Sequence, residues 1–369
     1  MNKYLKGIRS RIIKNINGLD VHILEAGYET ADKPLILLLH GFPELAFSWR
    51  KVMNPLANNG FYVVAPDLRG YGKTLGGKND YKGDISEYEM SNLVIDVLSL
   101  VFTLGKNFVH CLIGHDFGSI LAAHCALIRP DIFKSVILMS APFDGTFKIE
   151  VEKKDTLYIH KDLASLTRPR KHYQWYYSES YANDDIMNCK QGLKNFLRAY
   201  YHVKSADWKN NNPHKLSSWS AKELEKLPGY YIMDYELTMA EQVDLDMPND
   251  QEIKSCLWLT NDELAYYVIS FSKTSFQGGL NYYRCMTDNI IKKKLRLYSD
   301  LKITVPSIFI AGKQDWGIYQ KPGAVENMQK HSTTNMVGCH FVNDAGHWVQ
   351  QEQPEEVIKL FLNFIYNLD

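Results

Sequence analysis

Four short apolar runs in the first part of the chain constrain its fold more than any other feature. The runs cover residues 34–41, 61–67, 107–116 and 134–142, and each is rich in aliphatic residues. Helical stretches lie between the runs. Runs this short that are apolar throughout are typical of strands buried on both faces. Strands that alternate with helices predict a mostly parallel sheet with helices on both sides.

Two local patterns mark the start of the sheet and one of its helices. Asn17 and Gly18 lie between two strand-like runs, which favours a tight β-hairpin. In a later helical stretch, Ser86 and Glu89 have the spacing of a capping box, and Gly105 can end the helix in the left-handed conformation. We therefore expect antiparallel strands first and a long helix ahead of the third apolar run.

The alternation of strands and helices stops after Pro142 and resumes at residues 303–312. The stretch between combines long helical patterns with loops rich in Asn, Pro and Ser, and it holds 14 of the 23 tyrosines. A segment inserted after a central strand lies over the carboxyl ends of the sheet, where ligands of open α/β sheets bind. We predict two core segments, 1–144 and 296–369, and a helical cap domain, 145–295, between them.

Composition argues against nucleic-acid and membrane partners. Lys plus Arg and Asp plus Glu number 42 each, so no excess of basic residues favours a phosphate backbone or an anionic surface. No apolar run approaches the roughly 20 residues that span a bilayer, and the first residues lack the apolar segment of a signal peptide. The six cysteines have no zinc-type spacing. We expect a cytoplasmic protein that needs no metal or other cofactor; its oligomeric state stays open.

Asp116 stands at the centre of a Gly-x-Asp-x-Gly pattern in the stretch LIGHDFGSI. A strand-like run precedes the pattern and a helical one follows it, which is the setting of a nucleophile elbow, a strained turn that holds a reactive side chain clear of the backbone. Gly114 and Gly118 are the two positions where backbones approach closely in such a turn. The alternative is an aspartate that caps the helix.

Two later residues favour catalysis over capping. In α/β-hydrolase folds the nucleophile is followed along the chain by an acid after a later strand and then by a histidine in the last loop. Asp315 follows the apolar run IFIAG, and His347 follows the next strand-like run. Either residue alone is unremarkable, but both occur in the expected order. We predict Asp116, Asp315 and His347 as nucleophile, acid and base.

The turn in LLLHGFPE comes at another strand end and suits an oxyanion hole. It would aim the backbone amide of Phe42 into the pocket, where the amide of Phe117 would join it. A simple turn imposed by Gly41 and Pro43 is the alternative. Glu44, in the same turn, either helps to place a water molecule or caps a helix.

The chain resembles the α/β-hydrolase-fold epoxide hydrolases over nearly its whole length, in the motifs HGFPELAFSWR, PDLRGYGKT, GHDFGS, GKQDW and DAGHWVQQEQPEEV. The resemblance implies an α/β-hydrolase fold, with a mostly parallel central sheet and an inserted helical cap. The segments RKHYQWYYS and SFQGGLNYYRCM are similar to the lid segments that carry the family's paired tyrosines. They imply Tyr173 and Tyr283 as the lid pair, with Tyr176 and Tyr282 as neighbouring alternatives.

An aspartate nucleophile favours attack on a saturated carbon. Attack on a carbonyl would give an anhydride, whereas displacement at a saturated carbon gives an alkyl ester. Epoxides and alkyl halides are electrophiles of that kind. Water activated by His347 and Asp315 would then hydrolyse the ester while the two backbone amides hold the oxyanion.

The leaving group separates epoxides from halides. A strained ring opens to an alkoxide, which tyrosine hydroxyls can protonate, whereas a halide needs weak donors such as indole N–H groups. Haloalkane dehalogenases carry a Trp after the nucleophile and an Asn after the His-Gly pair, where this chain has Phe117 and Phe42. We predict conversion of an epoxide to a vicinal diol. The alternatives are a haloalkane or haloacid dehalogenase and a ligand-binding protein without catalysis.

Aromatic residues near these motifs favour a lipophilic epoxide as the small-molecule substrate. They include Trp175, Trp258 and Trp348. Aromatic side chains supply large apolar surfaces to ligand pockets. We therefore expect a bulky or aryl epoxide and a role in detoxification, and the identity of the physiological epoxide stays open.

Overall fold

Ten strands lie in the described residues of a computed structural model, which cover 3–30, 32–146 and 155–368. The strands are β1 (Arg9–Ile16), β2 (Leu19–Ala26), β3 (Leu35–Leu39), β4 (Tyr62–Pro66), β5 (Cys111–His115), β6 (Val136–Met139), β7 (Arg170–His172), β8 (Ile232–Asp234), β9 (Ser307–Gly312) and β10 (Met336–Val342). Eight of them form one sheet in the order β1-β2-β4-β3-β5-β6-β9-β10. Strand β2 is antiparallel to β1 and β4, and all other neighbours in this sheet are parallel. The predicted mostly parallel sheet is confirmed.

The four apolar runs form β3, β4, β5 and β6, and every residue of these strands is buried. The hairpin prediction is also confirmed, because β1 and β2 pair across a turn at Asn17 and Gly18. Both turn residues have positive φ, 48° and 79°, as a tight turn between right-twisted strands requires.

Helices cover the sheet and fill the segment between β6 and β9. Those in the described residues are α1 (Arg50–Asn58), α2 (Met90–Thr103), α3 (Phe117–Ile128), α4 (Asp155–Ala164), α5 (Tyr173–Tyr176), α6 (Ala182–Met187), α7 (Gly192–Val203), α8 (Ala221–Leu224), α9 (Met239–Asp244), α10 (Asp250–Ser255), α11 (Asn261–Thr274), α12 (Gln277–Thr287), α13 (Asn289–Lys294), α14 (Ala324–Asn327), α15 (Val349–Glu352) and α16 (Pro354–Tyr366). Within the described part of the chain, no helix is long and apolar enough to cross a membrane.

The predicted capping box at the start of α2 is wrong. Ser86 lies in a separate 3₁₀ turn, where its amide and its hydroxyl both donate to the side chain of Asp84. Helix α2 begins only at Met90, and Glu89 precedes it without a side-chain cap. The nearer Asp84 takes the Ser86 amide, which the box would have bonded to the Glu89 side chain. Gly105 does follow the helix in the left-handed region, with φ 72°.

Helices α4 to α13 and the small β7–β8 sheet separate the two parts of the large sheet, and we propose them as the cap domain of residues 145–295. Residues 147–154, at the start of that range, lie outside the described residues. The segment is joined to the rest by buried hydrogen bonds. The Tyr201 hydroxyl donates to the carbonyl of Pro43, and the Tyr267 and Ser48 hydroxyls lie 2.7 Å apart.

Candidate active site

Asp116 follows β5 in a turn that only glycine neighbours permit. Its own backbone is strained, with φ 54° and ψ −117°. A Cβ atom at Gly118 would lie 2.1 Å from the carbonyl oxygen of Leu39, and one at Gly114 would lie 2.0 Å from that of Gly118. The capping alternative is wrong, because the Asp116 side chain accepts no capping hydrogen bond from α3. The carboxylate is instead directed over the carboxyl end of the sheet.

The two oxygens of Asp116 have different surroundings. Oδ1 accepts a hydrogen bond from the amide of Phe42 at 3.0 Å, and Oδ2 lies 3.4 Å from Nε2 of His347. A Cβ atom at Gly41 would lie 2.5 Å from Oδ1, so the turn that carries Phe42 approaches this closely only because residue 41 is glycine. Oδ1 is therefore held by a backbone amide, while Oδ2 faces the imidazole of His347.

The two residues predicted to supply oxyanion amides differ in their contacts. The amide of Phe42 is the one that bonds to Asp116. Phe117 is the first residue of α3, and its ring packs edge-on against that of Tyr283, with 4.9 Å between centroids. Phe117 thereby places an apolar wall beside the nucleophile.

His347 and Asp315 meet although they are far apart in the sequence. Asp315 follows β9 and His347 follows β10, which is the neighbouring parallel strand. Nδ1 of His347 lies 3.1 Å from each carboxylate oxygen of Asp315, which also accepts the amide of Gly317 at 2.7 Å. Nε2 of His347 is buried and has no hydrogen-bond partner among the described residues. It is thus available to accept a proton from a molecule bound beside Asp116.

Charges in the site keep both aspartates ionised. Burial acts to raise the pKa of Asp116, but its interaction with His347, followed by the charges of Lys204 and His115, outweighs burial and holds the pKa well below the ordinary value. Burial also acts to raise the pKa of Asp315, but the charge of His347 outweighs burial and lowers that pKa. An ionised Asp116 is the form that acts as a nucleophile.

Glu44 and His115 form a buried pair near Asp116. Nδ1 of His115 lies 2.5 Å from Oε2 of Glu44, and its Nε2 lies 2.7 Å from the carbonyl oxygen of His347. Burial works against both charges, yet the partner's charge prevails, so the pKa of Glu44 is lowered and that of His115 is raised. The side-chain amides of Gln350 and Gln351 donate to the other Glu44 oxygen. The pair fixes the His347 backbone.

The helix-capping alternative for Glu44 is wrong. The next 3₁₀ turn, Ala46–Trp49, has Leu45 at its N-cap and no side-chain cap. The sequence reasoning did not identify the partner of Glu44, His115. A signal for it existed, since a polar residue at the end of an otherwise apolar buried strand is costly unless it is paired.

The rings of Tyr173 and Tyr283 pack edge-on against each other, with centroids 5.8 Å apart. The Tyr173 hydroxyl donates to Oε1 of Gln320 at 2.9 Å and accepts from Nε2 of Gln174 at 3.2 Å. The Tyr283 hydroxyl makes no side-chain hydrogen bond within the described ranges, and its ring lies 5.3 Å from that of Phe42. Burial raises the pKa of both phenols well above the ordinary value, so both keep their protons as donors.

The two neighbouring tyrosines direct their hydroxyls elsewhere. That of Tyr176 donates to Oδ2 of Asp185 at 2.8 Å, and that of Tyr282 donates to the carbonyl of Arg69 at 3.0 Å. The sequence reasoning missed Tyr177, one turn after Tyr173, whose ring lies 5.0 Å from that of Tyr283. The Tyr177 hydroxyl is buried without a partner in the described residues.

Lys204 is a third residue that the sequence reasoning missed, after His115 and Tyr177. The side chain is 3% exposed, and Nζ lies 5.0 to 5.8 Å from the centres of four aromatic rings, those of Tyr200, Tyr230, Tyr231 and Trp348. Aromatic faces stabilise a buried cation. Its charge contributes to the lowered pKa values of Asp116 and Asp315. No local pattern marks a lysine for this role.

The chain is similar to known proteins over nearly its whole length. A family model described as alpha/beta hydrolase fold matches residues 34–354. Epoxide hydrolase B of Mycobacterium tuberculosis is 29% identical over 364 residues, which cover 96% of this chain and 98% of that protein. Epoxide hydrolase 2 of Siraitia grosvenorii is 28% identical, with 95% and 96% covered.

Solved structures show the same likeness. That of an epoxide hydrolase from an endophytic Streptomyces superposes with a TM-score of 0.78 at 27% identity, covering 98% of this chain and 96% of that one. Epoxide hydrolase I of potato (Solanum tuberosum) superposes with a TM-score of 0.73 at 28% identity, with 97% and 99% covered. The similarity therefore extends over the sheet and the helical insertion together.

Proposed function

The chain belongs to the α/β-hydrolase-fold family as an epoxide hydrolase, and we propose that it makes a vicinal diol through a covalent ester on Asp116. In the first step Oδ2 of Asp116 attacks one carbon of the epoxide, and the bond between that carbon and the ring oxygen breaks. Ionisation of Asp116 and the hydrogen bond from Phe42 to Oδ1 support this role, because they leave Oδ2 free and correctly aimed.

The ring oxygen receives a proton from a lid tyrosine as its bond to carbon breaks. Tyr173 and Tyr283 support this role by their position across the site and by their raised pKa values, which keep the hydroxyl protons in place. Tyr283 is the freer donor, since the Tyr173 hydroxyl is already bonded to Gln320. The product of this step is a hydroxyalkyl ester of Asp116 and a tyrosinate.

Water then hydrolyses the ester. Nε2 of His347 takes a proton from the water, whose oxygen attacks the carbonyl carbon of the ester, while Asp315 stabilises the imidazolium. The negative charge develops on Oδ1, which Phe42 already holds and to which the amide of Phe117 is the proposed second donor. The tetrahedral intermediate collapses as its bond to the substrate oxygen breaks, and that oxygen takes the proton from His347 to give the diol. The second proton of the water, left on the Asp116 carboxyl, passes to the tyrosinate, so Asp116, His347 and the tyrosine return to their starting states.

One observation carries the proposal. Asp116 has one oxygen on a backbone amide and the other 3.4 Å from a buried imidazole nitrogen that has no other partner in the described residues. An aspartate that served only to cap a helix would not need a histidine and second aspartate aligned behind it. The alignment suits formation and hydrolysis of an ester.

Trapping the ester tests the mechanism. In a His347→Gln variant given an epoxide, the peptide that contains Asp116 should gain the mass of the intact epoxide, because the nucleophile remains and the base is gone. His331→Gln, which changes an exposed histidine, is the matched control and should turn over without an adduct. An active wild-type enzyme whose His347→Gln variant never forms the adduct would exclude this mechanism.

A lipophilic substrate is part of the same proposal. The rings of Phe42, Phe117 and Tyr177 enclose that of Tyr283, with centroid distances of 4.9 to 5.3 Å. Apolar linings with few polar groups select apolar ligands. A panel of aliphatic, aryl and fatty-acid epoxides assayed for diol, with halide release from alkyl halides measured in parallel, tests both the substrate class and the dehalogenase alternative.

A further inference from the structure

Glu352 binds the backbone on both sides of the histidine. Its Oε2 accepts the amide of Gly346 at 3.0 Å, and its Oε1 accepts the amide of Trp348 at 2.9 Å. These are the two chain neighbours of His347. Burial raises the pKa of Glu352 to about 8, and its two oxygens accept the amides on either side of His347, so a single side chain restrains the loop at both flanks.

The same carboxyl group also reaches the helical insertion. Oε2 of Glu352 accepts a third amide, that of Ala206, at 2.8 Å. Two residues earlier, the carbonyl of Lys204 accepts the amide of His347 itself, also at 2.8 Å. Two hydrogen bonds thus connect residues 204–206 to the histidine loop and its neighbouring helix, and Glu352 accepts one of them.

Capping of a short helix does not account for these contacts. Glu352 ends helix α15, and its bond to Trp348, the N-cap residue, is one that a helix cap provides. The bonds to Gly346 and Ala206 lie outside that helix. These two hydrogen bonds reach the loop that carries His347 and the segment 204–206 that packs against it.

We propose that Glu352 is a positioning residue for His347 and acts in the hydrolytic half of the reaction. The proposal rests on the proposed function. Without the carboxyl group, the two flanking amides lose the side chain that accepts both of them. The position of Nε2 of His347 relative to the ester on Asp116 is then no longer fixed. A misplacement of about 1 Å costs on the order of a hundredfold in rate. Formation of the ester requires no proton transfer by His347.

A Glu352→Gln variant separates the two half-reactions. We expect ester formation, measured by rapid quench and mass spectrometry of the Asp116 peptide, to stay within about twofold of wild type. Ester breakdown should slow by about a hundredfold, so the adduct accumulates. Glu352→Asp, which keeps both carboxyl oxygens on a shorter side chain, should restore part of the loss. Glu355→Gln, an exposed glutamate in the next helix, is the matched control and should leave both rates unchanged.

The outcomes separate this proposal from the proposed function. If wild type and His347→Gln form no ester, the covalent mechanism fails. If the ester forms and breaks down in Glu352→Gln within about twofold of wild type, Glu352 does not position His347. A parallel fall of both rates by the same factor also overturns the proposal, because it indicates a general structural loss. If Glu352→Gln does not fold, the same two rates in Glu352→Asp decide the question.

Discussion

His347 directs Nε2 at Oδ2 of Asp116, 3.4 Å away, while its Nδ1 lies 3.1 Å from both oxygens of Asp315. The imidazole therefore stands between two carboxylates of different function. In the proposed mechanism, Asp315 fixes which nitrogen of His347 carries the proton, and Nε2 acts as the base beside Asp116. This arrangement predicts that the two halves of the reaction depend on different residues.

Replacement of Asp315 should slow ester breakdown far more than ester formation. Asp315→Asn removes the charge that stabilises the imidazolium and allows the wrong tautomer of His347, which costs about 10⁴-fold in comparable hydrolase triads. Single-turnover measurements should show rapid adduct formation followed by a long-lived ester. Asp184→Asn, at an exposed position, serves as the control. Equal effects on the two rates would mean that Asp315 does not act through His347.

The two lid tyrosines should differ in importance. Among the described residues, the Tyr283 hydroxyl has no hydrogen-bond partner, whereas that of Tyr173 must leave Gln320 before it can donate to substrate. We expect Tyr283→Phe to lower the rate of ester formation by about 10²-fold or more, and Tyr173→Phe to lower it less. Tyr282→Phe is the matched control, since that hydroxyl is bonded to Arg69. A larger loss in Tyr173→Phe than in Tyr283→Phe would contradict this order.

Ester formation should vary little with pH over the neutral range. The pKa of Asp116 is lowered, so its charged form persists as the pH falls below the ordinary carboxyl range, and its contribution to folding is lost only at the lower folded-state pKa. The pKa values of Tyr173 and Tyr283 are raised by burial, so the donors persist as the pH rises. Rates of adduct formation in wild type should be constant within about twofold between about pH 5 and about pH 9.

A variant of Lys204 tests the acid side of the pH profile of ester formation. Its charge is one of the causes that lower the pKa of Asp116. Lys204→Met keeps an unbranched side chain among the four rings and removes the charge, so the pKa of Asp116 should rise. The rate of ester formation should then begin to fall at a higher pH than in wild type. An unchanged profile would show that the charge of Lys204 does not reach the nucleophile.

Residues of the candidate site that directly follow strands could be predicted from the sequence. Those whose position depends on how the insertion packs could not. Asp116, Asp315 and His347 each come after an apolar run, and the carboxyl ends of parallel strands lie on one side of a sheet, so their order along the chain sufficed. Lys204 and Tyr177 directly follow helices α7 and α5 of the insertion. Their proximity to the nucleophile depends on how those helices pack, which no local pattern encodes.

The lid tyrosines fall between these two cases. Tyrosine content alone could not distinguish Tyr173 from Tyr176, which lie on the same short helix. The resemblance to epoxide hydrolases selected Tyr173. The structure provides the physical difference, because the Tyr176 hydroxyl is bonded to Asp185 while Tyr173 lies across from Tyr283. Capping at Ser86 failed for a related reason, since a competing acceptor two residues away was overlooked.

The Glu44–His115 pair should contribute to stability as well as to the site. Both side chains are fully buried, and removing one partner of a buried pair typically costs about 3 to 5 kcal/mol because the other charge is left unpaired. Glu44→Gln and His115→Gln should each lower the free energy of unfolding by about that amount in denaturant titrations followed by tryptophan fluorescence. The double variant should lose less than the sum of the single losses, since neither charge then remains. Additive losses would show that the two side chains are energetically independent.

The pH dependence of this contribution follows from the two shifts. The lowered pKa of Glu44 means that its share of stability is present above the ordinary carboxyl value and is lost as the pH falls through the lower folded-state pKa. The raised pKa of His115 means that its share is present below the ordinary imidazole value and is lost as the pH rises through the higher folded-state pKa. The difference in stability between wild type and the double variant should therefore be largest between these limits and should decrease toward both acid and alkaline pH. A difference that only grows as the pH rises would contradict an ion pair, because His115 would then be stabilising as the neutral ring.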